Sequence, residues 1–224
     1  MRSLCVIVLI AAFVSALSPL GACAGENAVA GGKKSLGAMT LASPCPVWVI
    51  GSYDKAGKAN VMTASWVAIC CSTPPCITVS LRKATYSYGN IMESKAFTVN
   101  IPSEAFTREA AYYGSVSGKD VDKFKETGLT AVHGDSVNAP YVKEFPLVIE
   151  CKLIKTVELG LHTMFIGEIK DVKADESILN DRGQPDVLKL KPFVFAPGNP
   201  DFYSIGTSLG KFEDLMKGML PKKQ

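Results

Sequence analysis

Short apolar runs rich in β-branched residues recur along the chain, and turn-forming residues separate them. This alternation predicts many short β-strands. The predicted strands span residues 47–53, 61–71, 76–81, 97–101, 147–159, 162–172, 188–190 and 193–195. The two longest runs are joined at Gly160, which predicts a long hairpin. Many antiparallel strands with few helices between them predict a mainly β fold with added helices, an antiparallel barrel and not a sheet of βαβ units.

Four further segments have the composition or the caps of helices. The predicted helices span residues 85–94, 103–113, 120–126 and 207–219. Thr85 and Ser103 are the expected N-caps of the first two. Gly128 is expected to end the third, because glycine readily adopts the left-handed conformation that follows a helix.

The first 23 residues predict a signal peptide, since Arg2 precedes an apolar run over residues 4–17 that is short for a membrane span. Two cleavage patterns remain open. Residues 20–23 resemble a bacterial lipobox, which would make Cys23 the lipidated first residue of the mature chain. Residues 22–24 also fit the small-x-small rule of ordinary signal peptidase. The leucine three residues before Cys23 favours the lipobox.

Either cleavage predicts export from a bacterium-like cell. The product would be periplasmic, lipid-anchored on the outer side of the membrane, or secreted, and a lipid anchor would be its one membrane contact. Residues 24–36 are small and polar and predict a flexible lead. Residues 37–220 then suffice for one domain. A net charge of +3, evenly distributed, argues against a nucleic-acid partner.

Several catalytic motifs are missing from the sequence. It has no G-x-G-x-x-G after a strand, no G-x-x-x-x-G-K-[ST], no G-x-S-x-G and no H-E-x-x-H. Two histidines and no C-x-x-C give no zinc pattern, so we expect neither a metal site nor a catalytic nucleophile. Cofactor chemistry is the remaining source of reactivity.

Five cysteines follow the predicted signal peptide, and an odd number cannot all pair within one chain. Cys151 lies in a predicted strand and is expected to be a small buried apolar residue. Cys70, Cys71 and Cys76 lie close together in the sequence, which leaves a thiol-based redox role open.

The stretch from residue 60 to residue 90 has the residue types that a phosphorylated aromatic cofactor needs. Arg82 can bind a phosphate through two parallel hydrogen bonds, and Thr85 and Ser87 begin a predicted helix whose N-terminus attracts anions. Trp66 and Asn60 can supply an apolar wall and an edge hydrogen bond for a ring system. Each residue also has an ordinary structural interpretation, and spacing alone does not distinguish a flavin from another phosphorylated ligand.

The segments NVMTASWVAICCSTPPCITVSLRKATYSYGNI and FTVNIPSE are similar to those of the flavin reductase-like family, most closely its flavoredoxin members. The resemblance extends over most of residues 36–210. It implies an FMN-binding split β-barrel, a Greek-key antiparallel barrel. It also implies a homodimer with the flavin near the subunit interface.

The resemblance assigns FMN contacts residue by residue. The positions that correspond to the ring-binding residues of flavoredoxin-like members are Asn60, Trp66, Ser87, Lys123, His162 and Phe195. Thr63 and Ser65 belong to the same motif as Asn60 and Trp66. Phosphate binding is implied for Ser80 and Arg82 and for the following helix, with Thr85 and Asn90 as candidates. A cation such as Lys123 near the flavin helps to set its reduction potential.

The resemblance therefore implies a redox protein that transfers electrons or hydride through bound FMN, either as a flavin reductase enzyme or as an electron carrier. NAD(P)H or a redox protein would be its partner. Export favours a protein donor, because NAD(P)H is scarce outside the cytosol. Two alternatives remain open from the sequence: an exported barrel that binds a ligand without catalysis, and a thiol-based redox protein.

Overall fold

Twelve strands and five α-helices lie in the part of the chain that the structure describes, and the longer strands fall where the sequence predicts them. The computed structural model describes residues 32–217, and the elements below all lie within residues 40–217. The strands are β1 (Cys45–Pro46), β2 (Trp48–Tyr53), β3 (Ala59–Ala64), β4 (Val67–Ser72), β5 (Pro75–Arg82), β6 (Ala96–Ile101), β7 (Ala131–His133), β8 (Pro140–Val142), β9 (Leu147–Leu159), β10 (His162–Ala174), β11 (Phe193–Ala196) and β12 (Asp201–Ser204). The helices are α1 (Tyr86–Ser94), α2 (Thr107–Ser115), α3 (Lys123–Thr127), α4 (Val187–Leu190) and α5 (Phe212–Leu215).

The main sheet has seven strands in the order β3-β2-β6-β9-β10-β5-β4, and every neighbouring pair is antiparallel. Its two outermost strands, β3 and β4, are consecutive in the chain and are joined by Ser65 and Trp66 alone. A flat seven-stranded sheet would be roughly 29 Å across, whereas a link of two residues spans about 11 Å. The sheet must therefore curl until its edges approach each other. The prediction of an antiparallel, barrel-like β fold is confirmed.

The turn at Ser65 and Trp66 shows that the prediction of one strand over residues 61–71 is wrong. The chain turns between Ala64 and Val67, so the predicted strand is divided into β3 and β4. No Gly or Pro marks this turn in the sequence, so local turn signals could not locate it. At the end of β9, Gly160 has φ +78°, and glycine is favoured there because L side chains rarely adopt this conformation.

Residues 188–190, expected to form a strand, are helical instead. The side chain of Asp186 accepts hydrogen bonds from the backbone N–H groups of Leu188 (2.8 Å) and Lys189 (3.3 Å). This cap begins α4, and Lys191 in the left-handed conformation ends it. A three-residue apolar run does not distinguish a strand from a helix, so the capping aspartate decides the outcome.

The other helices are shorter or later than predicted. The helix expected at 103–113 is a 3₁₀ turn (Glu104–Phe106) followed by α2, and Ser103 makes no side-chain capping bond. The helix expected at 120–126 begins only at Lys123, the first residue of α3, because Asp122 is the residue that caps it. Gly128 ends this helix as predicted. The helix expected at 207–219 is reduced to α5, since Gly210, with φ +122°, interrupts its first turn. Residues 218 and 219 lie outside the described residues.

Two apolar clusters hold these elements together. The first lies inside the curled sheet, around Ile50, Val79, Phe97 and Phe165. The second packs α2 and α3 against the outer face of β2 and β3 through residues that include Val49, Val61, Tyr113 and Phe124. Because successive side chains of a strand point to opposite faces, β2 contributes Ile50 to one cluster and Val49 to the other. The second cluster fixes the position of the segment between α2 and α3, which lines the site described below.

A buried carboxylate holds the loop between β7 and β8 against the main sheet. Glu150 on β9 is fully buried and accepts hydrogen bonds from the backbone N–H groups of Asp135 (3.2 Å) and Ser136 (2.6 Å). Its Oε1 lies 3.2 Å from Nζ of Lys173, which also contacts the carboxylates of Asp135 and Asp171. Hydrogen bonds to Asp171 and Asp135 raise the pKa of Lys173 above its usual value, so the cation persists in the alkaline range.

We expect Glu150→Ala to lower the free energy of unfolding by about 2 kcal/mol, because it leaves two backbone N–H groups and one side of a cation without their partner. Urea unfolding would measure the change. Asp135→Ala is the matched control: its carboxylate is exposed, so a loss below about 1 kcal/mol is expected. Equal losses in the two variants would contradict this account of the loop.

The prediction of a signal peptide and a lipidated Cys23 falls on residues 1–23, outside the described residues, as does most of the predicted flexible lead. Among residues 32–217, no helix is long and apolar enough to cross a membrane.

Candidate functional site

The link between β3 and β4 places an aromatic pair at one end of the sheet. Trp66 is partly exposed, and its ring centroid lies 4.5 Å from that of His162 at an interplanar angle of 57°. The carbonyl of Trp66 accepts a hydrogen bond from the backbone N–H of Ser80 (3.0 Å), and His162 lies opposite Arg82 in the register of β10 and β5. The strand pairing therefore brings together residues from three separate parts of the sequence, around positions 66, 80–82 and 162.

A mainly apolar cavity of about 300 Å³ opens beside this aromatic pair. Met62 lies on β3, and Phe195 reaches the cavity from β11, which pairs with β1. The residues that line it are Met62, Thr63, Ala64, Ser65, Trp66, Ser80, Leu81, Arg82, Thr85, His162, Phe195 and Pro197. We call it the apolar section. Its walls are aromatic and aliphatic, which suits a flat ring system.

Met62 and Thr85 also line a second cavity, of about 240 Å³, which we call the polar section. Asn60, Ser87 and Lys123 meet there. The amide nitrogen of Asn60 donates to Ser87 Oγ (2.9 Å), whereas its Oδ1 is buried and has no hydrogen-bond partner among residues 32–217. A buried acceptor without a partner is costly, so this atom is suited to an N–H group of a ligand.

Lys123 is the buried cation of the polar section, with a relative exposure of 4%. Its Nζ donates to the backbone carbonyls of Val61 (2.7 Å) and Tyr113 (2.8 Å), which leaves one of its three protons free. Burial disfavours the charged form and lowers the pKa of Lys123 to about 8. A neighbouring anion would raise this pKa again, so the ammonium group is suited to a negatively charged ligand.

Two glycines, Gly114 near the end of α2 and Gly118 in the segment between α2 and α3, allow a close approach to β3. A Cβ on Gly118 would overlap Oδ1 of Asn60, and one on Gly114 would lie 3.3 Å from Cβ of Thr63. Gly118 is buried and lines the polar section. No motif in the sequence points to a functional role for this segment. Its one visible signal is the run of small residues from 114 to 118.

The remaining predicted residues are distributed unevenly. Arg82 is exposed at the rim of the apolar section, and it forms no ion pair with any residue from 32 to 217. Thr85 has the extended backbone of an N-cap, yet its hydroxyl donates to the carbonyl of Arg82 (2.9 Å) and does not cap α1. The hydroxyl of Thr63 donates to the carbonyl of Ala110 (2.5 Å).

Asn90 lies away from the aromatic pair. It is buried, and its amide lies 3.4 Å from the hydroxyl of Ser52. It lines a third cavity, of about 530 Å³, that adjoins the polar section at Thr85 and Tyr86 and includes Lys55, Lys83 and Lys119. The structure therefore brings eleven of the twelve predicted residues around the two adjoining sections, and places Asn90 beyond them.

Comparison with known proteins identifies the family of this fold and cavity. The family model described as "Flavin reductase like domain" matches residues 40–199, which is most of the chain. The chain belongs to the flavin reductase-like family. The resemblance found in the sequence is thereby confirmed, and the curled antiparallel sheet with its two unpaired edges is this family's split barrel.

Solved structures from the same family are similar over nearly their whole length. The chain is 54% identical to flavoredoxin of Desulfovibrio vulgaris (Miyazaki F), with a TM-score of 0.77, covering 80% of this chain and 97% of that one. It is 30% identical to flavoredoxin from Methanosarcina acetivorans, with a TM-score of 0.76, covering 84% and 98%. An uncharacterized protein of Archaeoglobus fulgidus is 33% identical over 130 residues, which are 58% of this chain and 72% of that protein.

Proposed function

We propose that the protein binds FMN in the two adjoining sections and transfers electrons through it. One observation carries the proposal. An apolar, aromatic-lined cavity adjoins a polar one that holds a buried cation, Lys123, and an acceptor without a partner among the described residues, Asn60 Oδ1. FMN combines a flat ring system, a polar ring edge with an N–H group, and a phosphate. The cavity supplies a complement to each of these.

The residues fit the cofactor part by part. Trp66, His162 and Phe195 would form the walls for the ring, and Asn60 and Lys123 would hold its polar groups. Ser87 fixes the side chain of Asn60, so it acts through that residue. Ser65 and Ser80 line the apolar section and can add hydrogen bonds at its edge.

The phosphate would be held at the exposed rim. Arg82 lies there and forms no ion pair within the described part of the chain, and the backbone turns at Thr85 into the N-terminus of α1. A guanidinium group and a helix N-terminus both attract a dianion. Asn90, whose amide lies close to Ser52, lines the neighbouring cavity, and its contact with the phosphate stays a prediction.

When it is bound, FMN supplies the ability to accept and donate electrons, and the protein needs no nucleophile of its own. The chain would hold the ring against the aromatic side chains of Trp66, His162 and Phe195. It also supplies a fixed positive charge at Lys123. This charge favours the reduced, more negative states of the cofactor and so raises its reduction potential.

FMN titrations test the phosphate assignment. We expect Arg82→Ala to weaken FMN binding about tenfold and to leave the affinity for riboflavin, which lacks the phosphate, unchanged. Quenching of flavin fluorescence would measure both dissociation constants. The matched control is Lys83→Ala, which removes the next side chain, already paired with Glu158 at 2.7 Å. An equal loss for FMN and riboflavin in Arg82→Ala would place the phosphate elsewhere.

Two functions are compatible with an FMN site, and a kinetic assay distinguishes them. A flavin reductase oxidises NADH or NADPH and passes the electrons to free flavin, whereas an electron carrier exchanges electrons with a redox protein. Steady-state oxidation of NAD(P)H in the presence of added FMN would support the first. If NAD(P)H is not oxidised but a redox protein reduces the bound FMN, the result would support the carrier role.

We also propose that the protein acts as an exported homodimer. Three large apolar side chains, Trp66, Leu159 and Leu161, are exposed at the end of the sheet where the cavity opens, and a second subunit would cover them. Sedimentation of the mature protein tests the dimer. Residues 1–23 support export, and mass spectrometry of the membrane fraction would distinguish a lipidated Cys23 from a freely secreted product.

A further inference from the structure

The hairpin of β4 and β5 places two thiols directly opposite each other at the end distant from the cavity. Cys71 pairs with Cys76 in the register, and Ser72 pairs with Pro75, so only Thr73 and Pro74 form the turn. Directly opposed residues of antiparallel strands have Cα atoms about 4.5–5.5 Å apart and point to the same face. A disulfide requires a Cα separation of about 4.4–6.8 Å. The backbone therefore already has the spacing that a cross-strand bond needs.

The other cysteines do not share this geometry. The register skips Cys70, which lies at an irregularity between Ile69 and Cys71 and has no residue opposite it. Cys151 is fully buried within the curled sheet, and the thiol of Cys45 donates to the carbonyl of Ala42 (3.0 Å). All five cysteines from 45 to 151 are free thiols.

The two opposed thiols differ in access to solvent. Cys71 is exposed on the edge strand, whereas Cys76 on β5 is buried, with a relative exposure of 3%. Burial, together with the neighbouring Cys71, Cys70 and Glu168, raises the pKa of the Cys76 thiol. The thiolate is the reactive form, so Cys71 is the sulfur that an external reagent reaches first, and Cys76 is placed to attack second.

We propose that Cys71 and Cys76 form a reversible cross-strand disulfide by exchange with a low-molecular-weight disulfide such as oxidised glutathione. The Cys71 thiolate attacks one sulfur of the reagent, which forms a mixed disulfide and releases one small thiol. Cys76 then attacks the sulfur of Cys71 and releases the second small thiol, which takes up the proton of Cys76. Two protein thiols are oxidised to one disulfide, and one small disulfide is reduced to two thiols.

This thiol pair is separate from the proposed flavin site. Four residues of extended strand, about 13 Å, separate Cys76 from Ser80 at the edge of the apolar section. Formation of the disulfide is therefore expected to leave the affinity for FMN unchanged within a factor of about two. The inference consequently holds or fails independently of the proposed flavin function.

The sequence around the pair allows a direct test. Trypsin cleaves after Lys58 and Arg82 and releases residues 59–82, which contain Cys70, Cys71 and Cys76 together. The full chain would be reduced, desalted, incubated with oxidised glutathione, alkylated, and digested without reduction. Mass spectrometry of this peptide is expected to show the loss of two hydrogens and a single alkyl group on Cys70, reversed by dithiothreitol.

Single variants establish the order of the two steps. Cys76→Ser is expected to accumulate the mixed disulfide on Cys71, and Cys71→Ser to leave Cys76 unmodified. Cys70→Ser, the matched neighbour, should still form the internal bond. The proposal is overturned if the wild-type peptide carries its alkyl group on Cys71 or Cys76, or if glutathione remains on the wild-type peptide without an internal bond. The wild-type result decides the question even if a variant fails to fold.

Discussion

Replacement of Gly118 by valine is expected to weaken FMN binding by at least about 100-fold. A Cβ at this position overlaps Oδ1 of Asn60 and lies 3.3 Å from the ring of Tyr86. Asn60 is buried and held by Ser87, so it can move only by losing that hydrogen bond and turning its side chain into the polar section. The valine methyl groups would occupy the same space. A loss of about 2.7 kcal/mol in binding free energy corresponds to this factor. Fluorescence titration with FMN would measure it.

Gly89→Ala is the matched control for Gly118→Val. Gly89 lies within α1, and a Cβ there has no atom within 4 Å. Alanine is also the better helix former, so unchanged FMN affinity with equal or slightly higher stability is expected. If Gly118→Val bound FMN as tightly as the wild type at equal thermal stability, the polar section would not be part of the flavin site.

Lys123→Met is expected to weaken FMN binding about 30- to 100-fold. It is also expected to remove the decrease in FMN affinity at alkaline pH. Methionine retains most of the side-chain volume and removes the charge together with the hydrogen bonds to Val61 and Tyr113. A hydrogen bond between a charged group and a neutral partner contributes about 1.5–3 kcal/mol, and the lost bond from the ammonium group to FMN sets the expected loss. Lys125→Met, on the exposed face of the same helix, is the control and should bind FMN normally.

The pKa of Lys123 determines the pH profile. Without ligand it is about 8, and acceptor atoms of bound FMN beside the ammonium group would raise it, so FMN binding takes up a proton at higher pH. The association constant of the wild type is therefore expected to be level from pH 7 to about 8. Above that it should fall by up to tenfold per pH unit. Two results would contradict a role for this cation in flavin binding. One is a wild-type association constant that stays level to pH 10, and the other is a fall above pH 8 that persists in Lys123→Met.

The same lowered pKa has the opposite consequence for stability without FMN. Between about pH 8 and 10.5 the folded protein has released the proton of Lys123, whereas the unfolded chain still binds it. The unfolded state then holds more protons, so the contribution of Lys123 to stability rises with pH across this window.

Elements with strong local signals could be predicted from the sequence. Gly160 between two long apolar runs predicted the hairpin of β9 and β10, and Gly128 predicted the end of α3. The turn at Ser65 and Trp66 could not be predicted, because it depends on the two sheet edges approaching each other and not on a turn-forming residue. Residues 188–190 were assigned wrongly because the capping bonds of Asp186 outweighed a short apolar pattern.

The candidate site likewise combines residues that could be predicted from the sequence with residues that could not. Its residues converge through strand register and through packing of α2 and α3 on β3, which no spacing in the sequence encodes. Lys123 was assigned through family resemblance, and its buried ammonium group is satisfied by the carbonyl groups of Val61, 62 residues before it, and Tyr113, 10 residues before it. Gly118 had no individual signal, since its importance depends entirely on the neighbouring Asn60.

The absorption spectrum of the purified mature protein tests the central claim most directly. After incubation with FMN and removal of the free cofactor, we expect the two bands of an oxidised flavin in the near-ultraviolet and blue. Chromatography of the heat-released cofactor is expected to identify FMN at about one per chain. A colourless protein that remains colourless after this treatment, or one that releases a different cofactor, would contradict the account.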